Sequence, residues 1–358
     1  MAVARMRAGP MGTGEYTLGA HGEPMTPSID VHTHIFASSW PDFAARHGGD
    51  RWPRLEGNPA TGCRLYLGST LNRNLTPHAF DPARRIEDMD RTGVGRQLLS
   101  PAPPTFCYWA PGMAAAEWCR MQNDAIAELV SRHPHRLLGA GGLPLQAPDL
   151  AVKELERVVT ELRFPAVEIG ANVAGLDLDD VALAPVWDAA AALGVAIFVH
   201  PQAPILGDPR FRKDNLTQVA GFPLETALAM TRVIFGRVLD RWPTIRWCFA
   251  HGGGAFAYIL PRLDQGWTAI ADAHAAIPLP PSAYARRVWV DSLTLSPRVL
   301  AFALETFGPE RIVLGSDYPF KMGVDDPIAA LDGVTLDAAT RQRLLGDNAR
   351  EFLALGPA

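Results

Sequence analysis

The stretch DVHTHIF, residues 30–36, closes an apolar run with two imidazoles one residue apart. On a strand, positions two apart share a face, so His32 and His34 would converge on one spot near the strand's end. An accidental pair of surface histidines is the plain alternative. Half of a metal site is the informative one, and it demands further ligands at other strand ends. The chain supplies them: apolar runs also end in His200 (IFVHP), His251 (CFAHGGG) and Asp317 (LGSDYP). The other six of the ten histidines show no such placement. Nitrogen and carboxylate donors without thiolates suit Zn²⁺, with Mn²⁺, Co²⁺ or Fe²⁺ also able to take the set. An open position on such an ion lowers the pKa of bound water to about 7 or polarises a substrate oxygen, so the site is expected to be catalytic. From the residues alone, five ligands and four ligands plus a base fit equally well.

Eight short β-rich runs carry these residues, over 28–34, 94–101, 136–144, 165–172, 194–201, 244–254, 287–294 and 311–319. Segments 81–93, 113–133, 149–162, 179–193, 222–241, 254–271, 296–308 and 337–355 alternate with them and read as helices. In the clearest of these, apolar residues recur at three and four, the helical period. Asp81 as cap and Pro82 in the first turn would start the first helix. Parallel strands joined by helices cross over right-handed, and eight such units close into a barrel. The expected fold class is therefore α/β, a (β/α)8 TIM-like barrel. An open doubly wound sheet is disfavoured, because no glycine-rich phosphate loop follows the first strand. All five candidate residues sit at carboxyl ends of strands, where barrel chemistry is built. Residues 37–80 exceed one crossover and are rich in Trp, Pro, Arg and Gly. They read as an insertion after strand one, near the active-site mouth.

A length of 358 residues accommodates one barrel domain over 28–358, preceded by residues 1–27. That leading segment lacks the apolar core of a secretory signal and reads as a disordered extension. A net charge of −5 without any basic run argues against a nucleic-acid surface. No apolar stretch reaches the length of about 18 residues that a transmembrane helix needs. The four cysteines lack paired spacing, which leaves no zinc ribbon and fits a reducing cytoplasm.

Together DVHTHIF, FCYWA (106–110), LPLQAPDLAVKELERVV (143–159), FVHP, FAHGGGAF and GSDYPF resemble the metal-dependent amidohydrolase superfamily over residues 28–355. The likeness is to the branch of α-amino-β-carboxymuconate-ε-semialdehyde decarboxylase and related nonoxidative decarboxylases. It implies that His32, His34, His200 and Asp317 hold the metal. It makes His251 an acid/base beside the ion rather than a ligand, with Asp317 as a second candidate for proton transfer. The end of strand four offers Glu168 and Asn172 but no lysine to bridge two ions, so one ion per chain, zinc in first place, is expected.

The implied reaction is decarboxylation of a small unsaturated or aromatic carboxylic acid. Hydroxide addition to a dienoic acid and protonation of an aromatic ring both stay open as routes. A hydrolase or hydratase of the same superfamily is the alternative and would release no CO₂. Arg73, in LNRNLTPHAF, stands at the position of a substrate-carboxylate arginine. Tyr108, Trp109 and Phe320 are candidate flat walls of the pocket. Where those decarboxylases read HPW this chain reads HPQ, so Gln202 points to a more polar or larger substrate. Arg262 follows His251 by eleven positions. About eight helical residues carry it roughly 12 Å along its helix, too far to return to its own metal. The resemblance implies a homodimer in which Arg262 serves the neighbour's site.

Overall fold

The computed structural model describes residues 27–202, 208–211 and 213–356. Except for Pro27, the extension expected over 1–27 lies outside the described residues. Strands Ile29–Ile35, Arg96–Pro101, Leu137–Gly142, Ala166–Gly170, Ala196–His200, Arg246–Phe249, Trp289–Asp291 and Ile312–Val313 pair in chain order through parallel ladders. These are the eight expected strands. Three backbone bonds close the ring: Val31 N to Leu314 O at 2.9 Å, Asp317 N to His32 O at 2.8 Å and His34 N to Tyr318 O at 2.7 Å. The strand bearing two histidines is thus bonded directly to the segment bearing Asp317.

Strands covered on both faces are apolar throughout, and the third, fourth and fifth are buried at every residue. One large core, including Val158, Val167, Trp187, Ile197, Trp247 and Phe307, lies between strands and helices. A second cluster, including Ile29, Leu98, Phe198, Cys248 and Phe352, reaches the site where the Phe198 ring lies 5.0 Å from that of His32. No helix among the described residues is long and apolar enough to cross a membrane.

The helix expected over 81–93 is Pro82–Thr92, with the Asp81 carboxylate accepting from Ala83 N at 2.8 Å. Two expected helices are interrupted. Segment 222–241 divides into Phe222–Phe235 and Val238–Arg241 because Arg237 takes a left-handed φ of 60°. Segment 337–355 is built from Ala338–Gln342, a wide turn over Arg343–Asp347, and Asn348–Phe352.

The insertion is more ordered than its composition suggests. It holds a short helix, Phe43–His47, and an antiparallel sheet of Pro53–Asn58, Gly62–Leu67 and Thr70–Leu75. Arg, Asn, Gly and Pro hide the strand period, while Cys63, Leu65 and Leu75 turn inward onto Phe36, Phe80 and Ala102, with Leu55 packed beside them. A cluster of Phe43, Trp52 and Trp118 anchors its other end.

The third strand uses glycine where helices press close. A Cβ at Gly141 would stand 2.7 Å from Val158 Cγ2 and 2.9 Å from Cγ1. Valine is stiff at χ1, so Gly141→Ala is expected to cost about 1–3 kcal/mol by overpacking. Urea titration would register this as a lower midpoint with an unchanged slope; an unmoved midpoint would mean that Val158 yields freely.

Candidate active site

His32 and His34 are fully buried, and His200 and Asp317 nearly so. One donor atom from each of the four lies within 4.8 Å of the others. Each imidazole is oriented through its far nitrogen. His32 Nδ1 donates to Asp291 Oδ2 at 2.6 Å, and His200 Nδ1 to Pro201 O at 2.5 Å. His34 Nδ1 lies 3.2 Å from Ser100 Oγ, which accepts from it because its own proton goes to Thr33 O at 2.8 Å. These bonds leave the Nε2 lone pairs free to face the centre. His34 Nε2 is 3.0 Å from Asp317 Oδ1, yet both atoms and His32 Nε2 are buried without a hydrogen-bond partner. Leaving a buried polar atom unpaired costs about 1–3 kcal/mol. Three such atoms facing one another, with a fourth donor beside them, fit a divalent cation.

Burial drives His34 down to about 4 and His200 and His251 below the ordinary imidazole value, which keeps them neutral. Burial pushes Asp317 up, but His32 and His34 beside it win and hold it well below the usual carboxylate range. For His32, burial is outweighed by Asp291 and Asp317, which hold it above its ordinary value. Burial raises Glu168, 3.6 Å from His34 Nδ1, to about 8. It therefore stays protonated at neutral pH and adds no second anionic ligand.

His251 lies outside the ligand set. Its ring is 5.2 Å from that of His32 and 5.0 Å from that of His200, and its Nδ1 is buried without a partner. It sits in a left-handed turn with φ 58°. Asp291 accepts from His251 N at 2.9 Å, Gly252 N at 2.8 Å and Leu293 N at 3.0 Å, besides His32. One carboxylate thus sets the tautomer of His32 and holds the turn that carries His251. Sequence reasoning missed Asp291, although it ends strand seven on the same side as His200 and His251.

A cavity of ≈ 860 Å³ opens above the cluster, lined by Arg73, His200, Gln202, His251, Asp317 and Phe320 among others. Its size lies within the range of about 300–1,000 Å³ usual for small-molecule sites. Phe320 stacks on His34 with ring centroids 5.3 Å apart, and the Arg73 guanidinium lies 4.3 Å over Phe320. Gln202 Nε2 donates to Asn172 O at 2.9 Å. Tyr108 and Trp109 do not line this cavity. The Tyr108 hydroxyl accepts from Gly170 N at 3.0 Å, one layer behind Gln202, and Trp109 packs on Trp52 beneath Arg51. Arg262 is exposed on the helix Phe256–Ala269 and also stands outside the cavity.

Asp291→Ala would free His32 Nδ1 and untether the His251 turn. Partners of this kind are worth about 10–100-fold in metal affinity, and a loss of that size is expected in a chelator competition. An unchanged dissociation constant would show that His32 keeps its tautomer without the carboxylate.

The Amidohydrolase family profile matches residues 29–355. The 2-amino-3-carboxymuconate-6-semialdehyde decarboxylase of Dictyostelium discoideum is 36% identical over 331 residues, covering 92% of each chain. The gamma-resorcylate decarboxylase of Polaromonas sp. is 29% identical over 295 residues, 76% of this chain and 87% of that one. The solved dihydroxybenzoic acid decarboxylase of Polaromonas sp., with bound manganese and the inhibitor 2-nitroresorcinol, has the same fold. Its TM-score is 0.74 at 24% identity, over 93% of this chain and 98% of that one. The family match begins at the first residue of strand one and ends beyond the last helix, so it takes in every strand-end donor. The chain belongs to the amidohydrolase superfamily, in its branch of nonoxidative decarboxylases, which are carboxy-lyases.

Proposed function

We propose that the chain decarboxylates a small unsaturated or aromatic carboxylic acid, using one divalent ion per chain held by His32, His34, His200 and Asp317. The observation that carries this reading is the set of unpartnered donor atoms beneath a cavity that Arg73 also lines. Zinc is the first candidate on donor type, and the manganese of the solved relative makes Mn²⁺ the second. The bound ion supplies Lewis-acid polarisation of a substrate oxygen.

The chain's own residues do the rest. Arg73, half-buried against Phe320, is suited to hold a carboxylate through charge-assisted, bidentate bonds. When the carbon–carboxylate bond breaks, its electron pair stays on carbon, CO₂ departs and a proton must reach that carbon. His251, neutral and with a free Nδ1, takes up a proton from a substrate hydroxyl, or from a water whose hydroxide adds to the unsaturated substrate and is expelled after CO₂ has left, and delivers that proton to the carbon. Asp317 stands close enough to share this transfer. Phe320 lines the cavity with its ring between His34 and the Arg73 guanidinium, and so steadies that arginine. Gln202, drawn back to Asn172, leaves room for a more polar or larger acid.

The exposed position of Arg262, one turn beyond Tyr258 at 83% exposure, supports a homodimer in which this arginine serves the partner's site. Cys63, Cys107, Cys119 and Cys248 are all free, which supports placement in the reducing cytoplasm.

Metal analysis followed by a CO₂-release assay over a panel of unsaturated and aromatic acids tests the function. One equivalent of metal and CO₂ in step with substrate loss are expected; turnover without CO₂ would favour a hydrolase or hydratase. His200→Ala should lose metal and activity together. His251→Ala should keep its metal and lose about 10²–10⁴ in kcat, the scale of an acid/base contribution. Metal loss in the latter would make His251 a ligand.

The dimer is tested by complementation. Mixing His200→Ala chains with Arg262→Ala chains should restore activity, because some hybrid sites then hold both intact parts. Exchange of subunits without recovery, or a fully active monomer, would refute the shared arginine.

A further inference from the structure

The helix Pro82–Thr92 sends Arg85 and Asp88 toward the back of the metal cluster, three positions apart. Arg85 is completely buried and does not line the cavity. Its Nη2 donates to the His34 carbonyl at 2.5 Å and its Nη1 to Gln97 Oε1 at 3.0 Å. Gln97 Nε2 passes the interaction on to Asp30 Oδ2 at 3.2 Å. Asp30, also fully buried, accepts from Ser316 Oγ at 2.6 Å, Ser316 N at 3.1 Å and His32 N at 3.3 Å. On the other side the Arg85 guanidinium lies 4.5 Å over the Tyr318 ring, whose hydroxyl donates to Asp88 Oδ2 at 2.9 Å.

The partners of this network have one thing in common. They are the backbone of His32 and His34, and Ser316 and Tyr318 on either side of Asp317. The eighth strand has only two residues, Ile312–Val313. Beyond it the ligand segment has no regular ladder and is tied to strand one by the three closing backbone bonds. Ligand distances in a metal site must be right to within about 0.2 Å, and three of the four ligands sit on these two adjoining segments. A buried guanidinium is costly unless its bonds are made. Burial lowers Arg85 only to about 10, so it carries its charge at neutral pH.

We infer that Arg85 is a positioning residue for the metal site. Through Gln97 and Asp30 on one side and Tyr318 on the other, it sets the spacing between the His32–His34 strand and Asp317. The inference rests on the metal reading above but assigns a role to residues that touch neither ion nor substrate.

The test compares wild type, Gln97→Met and Arg85→Met as metal-free and zinc-loaded protein. Zinc affinity is measured by chelator competition and the metal-free fold by circular dichroism and melting temperature. Gln97→Met cuts the relay and leaves the Arg85–His34 bond. It is expected to melt somewhat below wild type when metal-free, because Arg85 Nη1 loses its partner, and in addition to bind zinc about 10–100-fold more weakly. Its kcat should return at saturating zinc with KM unmoved. Arg85→Met should lose more affinity than Gln97→Met; where it fails to fold, Gln97→Met decides alone. A role confined to the fold would lower only the metal-free melting temperature and leave the zinc constant unmoved. Wild-type zinc affinity in Gln97→Met overturns the inference while the metal reading stands. A wild-type chain that binds no ion overturns both.

Discussion

Asp317 Oδ1 lies 3.0 Å from His34 Nε2 and 3.5 Å from His32 Nε2, and no hydrogen bond joins them. Lone pairs gathered this closely in a buried place favour a cation among them and disfavour an empty centre. The frame must therefore hold the donors in register before the ion arrives. It does so from two sides. Peptide bonds join strand one to the Asp317 segment at the seam of the barrel. Behind each ring, Asp291, Ser100 and the Pro201 carbonyl fix the nitrogen that faces away. Because these partners sit on strands seven and two and just past the end of strand five, the geometry of the centre depends on closure of the whole ring.

Electrostatics follow from the same enclosure. Burial keeps His34 and His200 neutral, as ligands must be, while Asp317 stays ionised beside them. Glu168 would be a second anion in the cluster, but burial lifts it to about 8 and leaves it protonated at neutral pH. Asp291 couples the donor cluster to its neighbouring histidine: the carboxylate that orients His32 also caps the turn carrying His251. Displacement of strand seven would disturb ligand and base together.

The barrel and its donors were legible because both follow from periodicity. Eight apolar runs and the placement of His32, His34, His200, His251 and Asp317 at their ends survive any error of a residue or two in boundaries. What escaped was set by tertiary contact. Asp291 ends a strand as many turn aspartates do, and only the approach of His32 distinguishes it. The insertion strands hide because one face meets solvent and Gly57, Gly62 and Gly68 turn the chain with positive φ. Tyr108 and Trp109 look like pocket walls in FCYWA, yet Gly170 N and the Trp52 ring claim them first. The break at Arg237 comes from a left-handed residue that a helical period does not reveal.

The insertion also answers a constraint that the barrel cannot meet alone. Strand ends converge on the metal, so a cationic side chain placed there would compete with the ion for Asp317. A cation at this mouth therefore has to come from outside the strand ends. A segment arching over the mouth can provide this, and the strand Thr70–Leu75 does, with Arg73 resting on Phe320. Phe320 in turn stacks on His34, so the Arg73 guanidinium is positioned against the donor cluster without entering it. Chemistry is thereby fixed by the barrel and selection by what is laid over it. Arg73 and Gln202 line the cavity without belonging to the donor cluster beneath it.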